Sequence, residues 1–104
     1  MKLGYFMMPN HPEHRAYSDA HAHNLDTLEF LDRLGFEEAW VGEHFTCRRE
    51  PLPCPDILIA QAFVNTKSIK LGAGAFLLPY HVPAELAHRI MWLDHISQGR
   101  FMVG

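Results

Sequence analysis

Four near-continuous apolar runs at almost even spacing govern what this chain can fold into. LGYFMM (Leu3 to Met8), EAWVG (Glu38 to Gly42), IKLGAGAFLL (Ile69 to Leu78) and RFMVG (Arg100 to Gly104) begin 35, 31 and 31 residues apart. Little polar alternation interrupts them, which is the pattern of strands covered on both faces, as in a parallel sheet. Helical patterns lie between. The first spans about Ala20 to Leu34, with Leu25, Leu28, Leu31 and Leu34 near one face, Ser18 or Asp19 as its cap and Gly35 as a left-handed stop. A second begins after Pro55, with Asp56 in its first turn, and is expected to bury Ile57, Ala60, Phe63 and Val64. Pro83 opens a third, with a Leu86, Ile90, Leu93 stripe, and Gly99 ends it.

Strands alternating with amphipathic helices at this period imply βαβ units with right-handed crossovers, hence an α/β class. FMVG forms the body of a fourth strand, and four strands cannot close a barrel, which takes about eight. The pattern therefore predicts a partial (β/α)8 TIM barrel, the first three βα units plus strand four. Residues 1–104 would be the N-terminal part of a longer barrel domain; a complete small open sheet is the alternative.

Composition closes off other classes. The formal net charge is -3 and the nine Lys and Arg are scattered, so no basic footprint for nucleic acid exists. No stretch approaches the roughly 18 apolar residues that span a bilayer. The opening MKLGYFMMPNHPEH lacks the apolar centre and small-residue cleavage site of a secretory signal, which predicts a cytoplasmic address. Cys47 and Cys54 are then expected as reduced thiols, and Cys-x6-Cys matches no common zinc pattern.

In parallel α/β folds ligands sit at the carboxyl ends of the strands. Strand one delivers Met8, Pro9, Asn10 and His11 there; strand two delivers Glu43, His44 and Phe45; strand three delivers Pro79, Tyr80 and His81. His44 is the leading catalytic candidate, because imidazole exchanges protons near neutral pH. Adjacent Glu43 should point to the opposite face, so the two are not expected to form a direct dyad. Gly72 to Ala75, GAGA, would either strip side chains from one strand face and let a flat ring approach or simply ease packing under a helix; it is not a dinucleotide fingerprint, which needs a third Gly and an immediate helix. Met8 at the end of strand one, Glu43, Gly74 and Ala75 are the candidate cofactor contacts. His11, His14, His21, His23, His88 and His95 read as solvated residues, and no metal site is expected. Arg48, Arg49 and Glu50 read as a solvated loop.

Four passages in order, MKLGYFMMP, LGFEEAWVGEHF, KLGAGAFLLPYHVP and LDHISQGRFMVG, resemble the start of the bacterial luciferase-like monooxygenases, flavin-dependent (β/α)8 barrels. That resemblance implies that Glu43 and His44 match the family's glutamate-histidine pair, with His44 the active-site acid/base, and that a non-proline cis peptide falls at Gly74-Ala75 against the flavin ring. Phe45 replaces the second histidine common in luciferases, which argues against light-emitting aldehyde oxidation. The implied reaction is monooxygenation of a small organic substrate by O2 and reduced FMN, supplied by a separate NAD(P)H-dependent flavin reductase. The second and third helices form the dimer face in the family, so the complete protein is expected to be a homodimer. The alternatives are a deazaflavin-dependent reductase or dehydrogenase of the same superfamily and a non-catalytic flavin-binding or dimerisation subunit.

Overall fold

The computed structural model describes residues 1–104. The elements follow the expected order: β1 (Gly4–Met7), α1 (Tyr17–Arg33), β2 (Glu38–Val41), α2 (Pro55–Asn65), β3 (Lys70–Ala73), a 3-10 turn (Leu78–Tyr80), α3 (Pro83–Ser97) and β4 (Phe101–Val103). All neighbouring strands pair in parallel, in the order β1-β2-β3-β4. One register row runs Met7, Val41, Ala73, Val103, and the next runs Phe6, Trp40, Gly72, Met102.

These rows separate the two faces of the sheet, since successive side chains point oppositely. Met7, Ala39, Val41, Leu71, Ala73 and Phe101 are buried beneath the helices, in one core with Leu28, Leu31, Leu58, Ile59, Ala62, Phe63, Leu86 and Leu93. The other face carries Phe6, Trp40 and Met102, and Phe6 is 54% exposed. Helices cover one face, and the runs read as continuous because the other face, which corresponds to a barrel interior, is apolar as well.

Several local expectations are corrected. Helix α1 starts at Tyr17, with Ala16 at the cap and neither Ser18 nor Asp19 capping; Asp19 instead places its charge in the first turn, where the dipole favours it. Gly35 adopts the expected left-handed stop, with φ +82. Helix α2 buries Leu58, Ile59, Ala62 and Phe63, leaving Ile57 and Val64 exposed. It is apolar almost all round, so periodicity alone cannot select its inward face. Strand β3 stops at Ala73 rather than Leu78. Helix α3 buries Leu86 and Leu93 as expected, and the chain leaves it through two left-handed residues, Gln98 and Gly99.

Two polar staples close the amino-terminal end of the sheet. Asp32, at the end of α1, accepts hydrogen bonds from the backbone amides of Lys67 (2.8 Å), Ser68 (3.0 Å) and Ile69 (2.7 Å), and from the Ser68 hydroxyl. Burial alone would raise its pKa, but these donors outweigh it and hold the carboxyl at about 2. Arg100 lies over the Phe63 ring and donates to Thr66 Oγ1 (3.1 Å), the Phe63 carbonyl (3.3 Å) and the Ser97 carbonyl (3.2 Å).

Candidate active site

The opposite, carboxyl end of the sheet gathers the candidate residues. After β1, Met8 is half-exposed, whereas His11 is buried against α1. His11 Nε2 lies 2.9 Å from Asn24 Oδ1, and Arg15 Nη1 lies 3.0 Å from its Nδ1. Arg15 can only donate, so Nδ1 accepts and Nε2 carries the hydrogen. Burial depresses the pKa of His11, with Arg15 and His23 adding to the effect and the Asn24 bond opposing it. His11 is therefore a packed anchor between β1 and α1, not the solvated loop residue expected from sequence.

After β2, Glu43 and His44 diverge, as strand geometry requires. The Glu43 side chain is fully buried, 0% exposed. It accepts from the Leu77 backbone amide and from His81 Nε2, 2.8 Å from Oε1. Arg89 Nη2 donates to His81 Nδ1 (3.2 Å), and Arg89 Nη1 pairs with Asp56 (3.4 Å). The chain Asp56–Arg89–His81–Glu43 thus alternates acceptor and donor from α2 through α3 to the end of β2, and the Arg89 contact fixes the Nε2–H tautomer of His81. Phe76 packs edge-on against the His81 ring, at 5.5 Å between centroids. Both Glu43 oxygens face donors of this chain rather than the open end of the sheet.

His44 lies on the other side of the strand. Its Nδ1 is 3.0 Å from Glu50 Oε2, both side chains being mostly shielded. A Cβ built at Gly42 would fall 2.8 Å from His44 Nε2, so only glycine leaves room for the ring there. His44 also lines a cleft of about 670 Å³ with Arg15, Tyr17, Cys47, Arg48 and Pro53. Glu50 is consequently not merely a solvated loop residue. Cys47 and Cys54 are unpaired; burial, then the charge of Asp56, pushes the Cys54 thiol up, which keeps it protonated.

After β3 the glycine surface is smaller than GAGA suggests. A Cβ at Gly72 would fall 2.8 Å from the Trp40 ring and 2.9 Å from Met102 Cβ, so Trp40 already occupies that gap. The open ledge begins one step later. The Gly74-Ala75 peptide is cis, Ala75 is exposed, and a Cβ at Gly74 would approach Phe6 and Trp40 at 3.1 and 3.2 Å. The Gly74 amide donates to the Val41 carbonyl (2.8 Å), and the Leu77 amide to Glu43, so both ends of this ledge hang from β2.

Met8, His44, Gly74 and Ala75 therefore lie at one end of the sheet, while Glu43 stands behind it. Sequence reasoning placed His81 at a strand end without giving it a role, and it missed Asp56 and Arg89. The His81 position after the third strand was the available signal; Asp56 and Arg89 belong to other elements and carry none. No group of three or more His, Cys, Asp or Glu side chains is arranged to hold a metal, and no helix is long and apolar enough to cross a membrane.

The family described as luciferase-like monooxygenase matches residues 1–104. Limonene 1,2-monooxygenase of Rhodococcus erythropolis is 46% identical over 89% of this chain and 25% of its own length. The 2,5-diketocamphane 1,2-monooxygenase 1 of Pseudomonas putida is 39% identical over 100% of this chain and 29% of its own. Among solved structures, the oxygenating constituent of 3,6-diketocamphane monooxygenase from Pseudomonas putida, a type II Baeyer-Villiger monooxygenase in complex with FMN, superimposes with a TM-score of 0.96 at 33% identity, covering 100% of this chain and 29% of that one. The chain thus spans less than a third of the length of these relatives, and its three βα units and fourth strand correspond to part of a TIM barrel.

Proposed function

The chain belongs to the luciferase-like monooxygenase family, and on that footing we propose that it is the N-terminal part of a barrel enzyme that oxygenates a small organic substrate with reduced FMN and O2. A separate NAD(P)H-dependent flavin reductase would supply the reduced cofactor, and a cytoplasmic setting suits that supply. The likeness to terpene and diketocamphane monooxygenases favours an alicyclic, largely apolar substrate. The exposed Ile57 and Trp92 beside the α2–α3 groove favour a homodimer of the complete protein.

One observation carries this reading. His44 presents an imidazole at the same sheet end as an exposed, apolar ledge, in a chain that superimposes on an FMN-bound relative. The residues present fit a flavin: Gly74 and Ala75 offer a flat surface without large side chains, Phe6, Trp40 and Met8 flank it with apolar groups, and His44 supplies a polar edge. When bound there, the cofactor would supply the activation of O2 that no side chain can perform. The chain's own residues then have separable tasks. Phe6, Trp40 and Met8 exclude water from the reacting region, Ala75 supports the ring, and His44 Nε2 holds or transfers a proton to the substrate oxygen.

The test uses the complete polypeptide with a flavin reductase, NADH, FMN, isotopically labelled O2 and a panel of monoterpenes and bicyclic ketones. Label entering one product oxygen is the expected result. His44→Ala should lower kcat by about 10²–10⁴, the range for loss of an acid/base group. Binding of a deazaflavin in preference to FMN, or full turnover by His44→Ala, would overturn the assignment.

A further inference from the structure

We propose that Glu43 is a positioning residue for the flavin ring rather than a ligand of it, and that His81 and Arg89 are the rear supports through which it is held. This rests on the flavin reading above and concerns the same site. The geometry points to it in three steps. First, the Glu43 side chain has no exposed surface and both its oxygens face donors of this chain, the Leu77 amide and His81 Nε2. Second, Leu77 closes the short segment that begins at Gly74, whose own amide is tied to the Val41 carbonyl. Beside the buried Phe76 ring, residues 74–77 therefore have two hydrogen-bonded ties to β2 and the residues after it, and Glu43 makes the one that uses a side chain. Third, the His81 ring cannot rotate freely, because Arg89 Nη2 donates to its Nδ1 and Phe76 packs against it. A carboxylate accepting from two fixed donors holds its place, and a backbone amide bonded to that carboxylate holds the ledge at one height above β2.

The chemistry demands a carboxylate here. Both groups facing Glu43 are donors, so its charge-free amide analogue would direct an N–H against one of them. Glu43→Gln preserves the shape and breaks the clasp. His81→Gln can still donate to Glu43, and is the conservative variant that should restore part of the function.

The experiment compares wild type, Glu43→Gln, His81→Ala and His81→Gln in the complete polypeptide, reading FMN affinity, the visible circular dichroism of bound FMN, and hydrogen exchange at the Leu77 amide. Asp32→Asn serves as a control, since it weakens the opposite end of the sheet. Glu43→Gln and His81→Ala should weaken FMN binding about tenfold or more, the loss expected for a charge-assisted hydrogen bond, and should change the dichroism of whatever flavin still binds. His81→Gln should recover most of that loss. Asp32→Asn should lower the melting temperature while leaving FMN affinity within about twofold and the dichroism unchanged. Leu77 should exchange slowly in wild type and rapidly in Glu43→Gln, with or without flavin. If Glu43→Gln binds FMN with unchanged affinity and dichroism, the positioning role is overturned while the flavin reading stands. If wild type binds no FMN, both are overturned, and slow exchange at Leu77 would leave only a structural clasp. Equal loss of FMN affinity in Asp32→Asn would likewise overturn it, reducing Glu43 to general stability.

Discussion

Nδ1 of His44 lies 3.0 Å from Oε2 of Glu50, across a loop whose backbone is itself tied down. The His44 amide donates to the Leu52 carbonyl and the Leu52 amide to the Glu50 carbonyl, each at 2.9 Å, while Arg49 accepts from the His11 amide at 2.7 Å. A carboxylate so placed favours a hydrogen on Nδ1 and leaves Nε2 as the acceptor, the atom assigned the proton under the proposed function. Glu50→Ala should therefore lower kcat about tenfold with KM within about twofold, an order-of-magnitude loss for an orienting rather than reacting group. Steady-state kinetics on the complete protein would check this, and a rise in KM alone would show that Glu50 only shapes the loop.

The buried pair makes a stability prediction as well. Glu43→Ala leaves the Leu77 amide and the Arg89-backed His81 without their acceptor inside the fold, and should cost about 3–5 kcal/mol. In a double-mutant cycle with His81→Ala, the two losses should fall short of additivity by about 1–3 kcal/mol. Urea unfolding of the four proteins measures both quantities, and simple additivity would show that the contact is energetically idle.

Asp32 predicts an acid limb. Its folded pKa of about 2 lies below the ordinary carboxylate value of 3.8. Its contribution is thus complete above the unfolded value and is lost as pH falls from near 4 toward 2. Because the carboxyl is partly exposed, solvent screening discounts the contribution to about 1–2 kcal/mol. The difference between the urea midpoints of Asp32→Asn and wild type should be full at a mildly acidic pH and shrink by more than half near pH 2.5.

Gly72 predicts overpacking. Its added Cβ would lie within 3 Å of both Trp40 and Met102, and sheet neighbours on either side leave little room to retreat. Gly72→Ala should cost about 1–3 kcal/mol and shift the Trp40 fluorescence as the ring is displaced. Gly35→Ala meets no neighbouring atom and carries only the left-handed backbone cost of about 1 kcal/mol, with unchanged fluorescence.

Much of the architecture was legible because it depends on local signals. Pro55 and Pro83 open α2 and α3, Gly35 ends α1, and the strand spacing yields the parallel order. The opposed directions of Glu43 and His44 followed from strand geometry. What escaped sequence reasoning was set by distant partners. His11 is buried because Asn24, about two turns into α1, receives it. The segment after β3 is tied down by Glu43, 34 residues before Leu77. Trp40 fills the space at Gly72 from the adjacent strand, which no spacing within GAGA could reveal. The inward face of α2 was ambiguous because nearly every side of that helix is apolar.

The attachment of the Gly74–Leu77 segment at Val41 and Glu43 has a mechanical consequence. His44 follows on the same short stretch of backbone, so the ledge and the imidazole share a single frame of reference. A shift of α2 or α3 would reach that frame through Arg89 and His81, so ledge and imidazole would move together rather than apart.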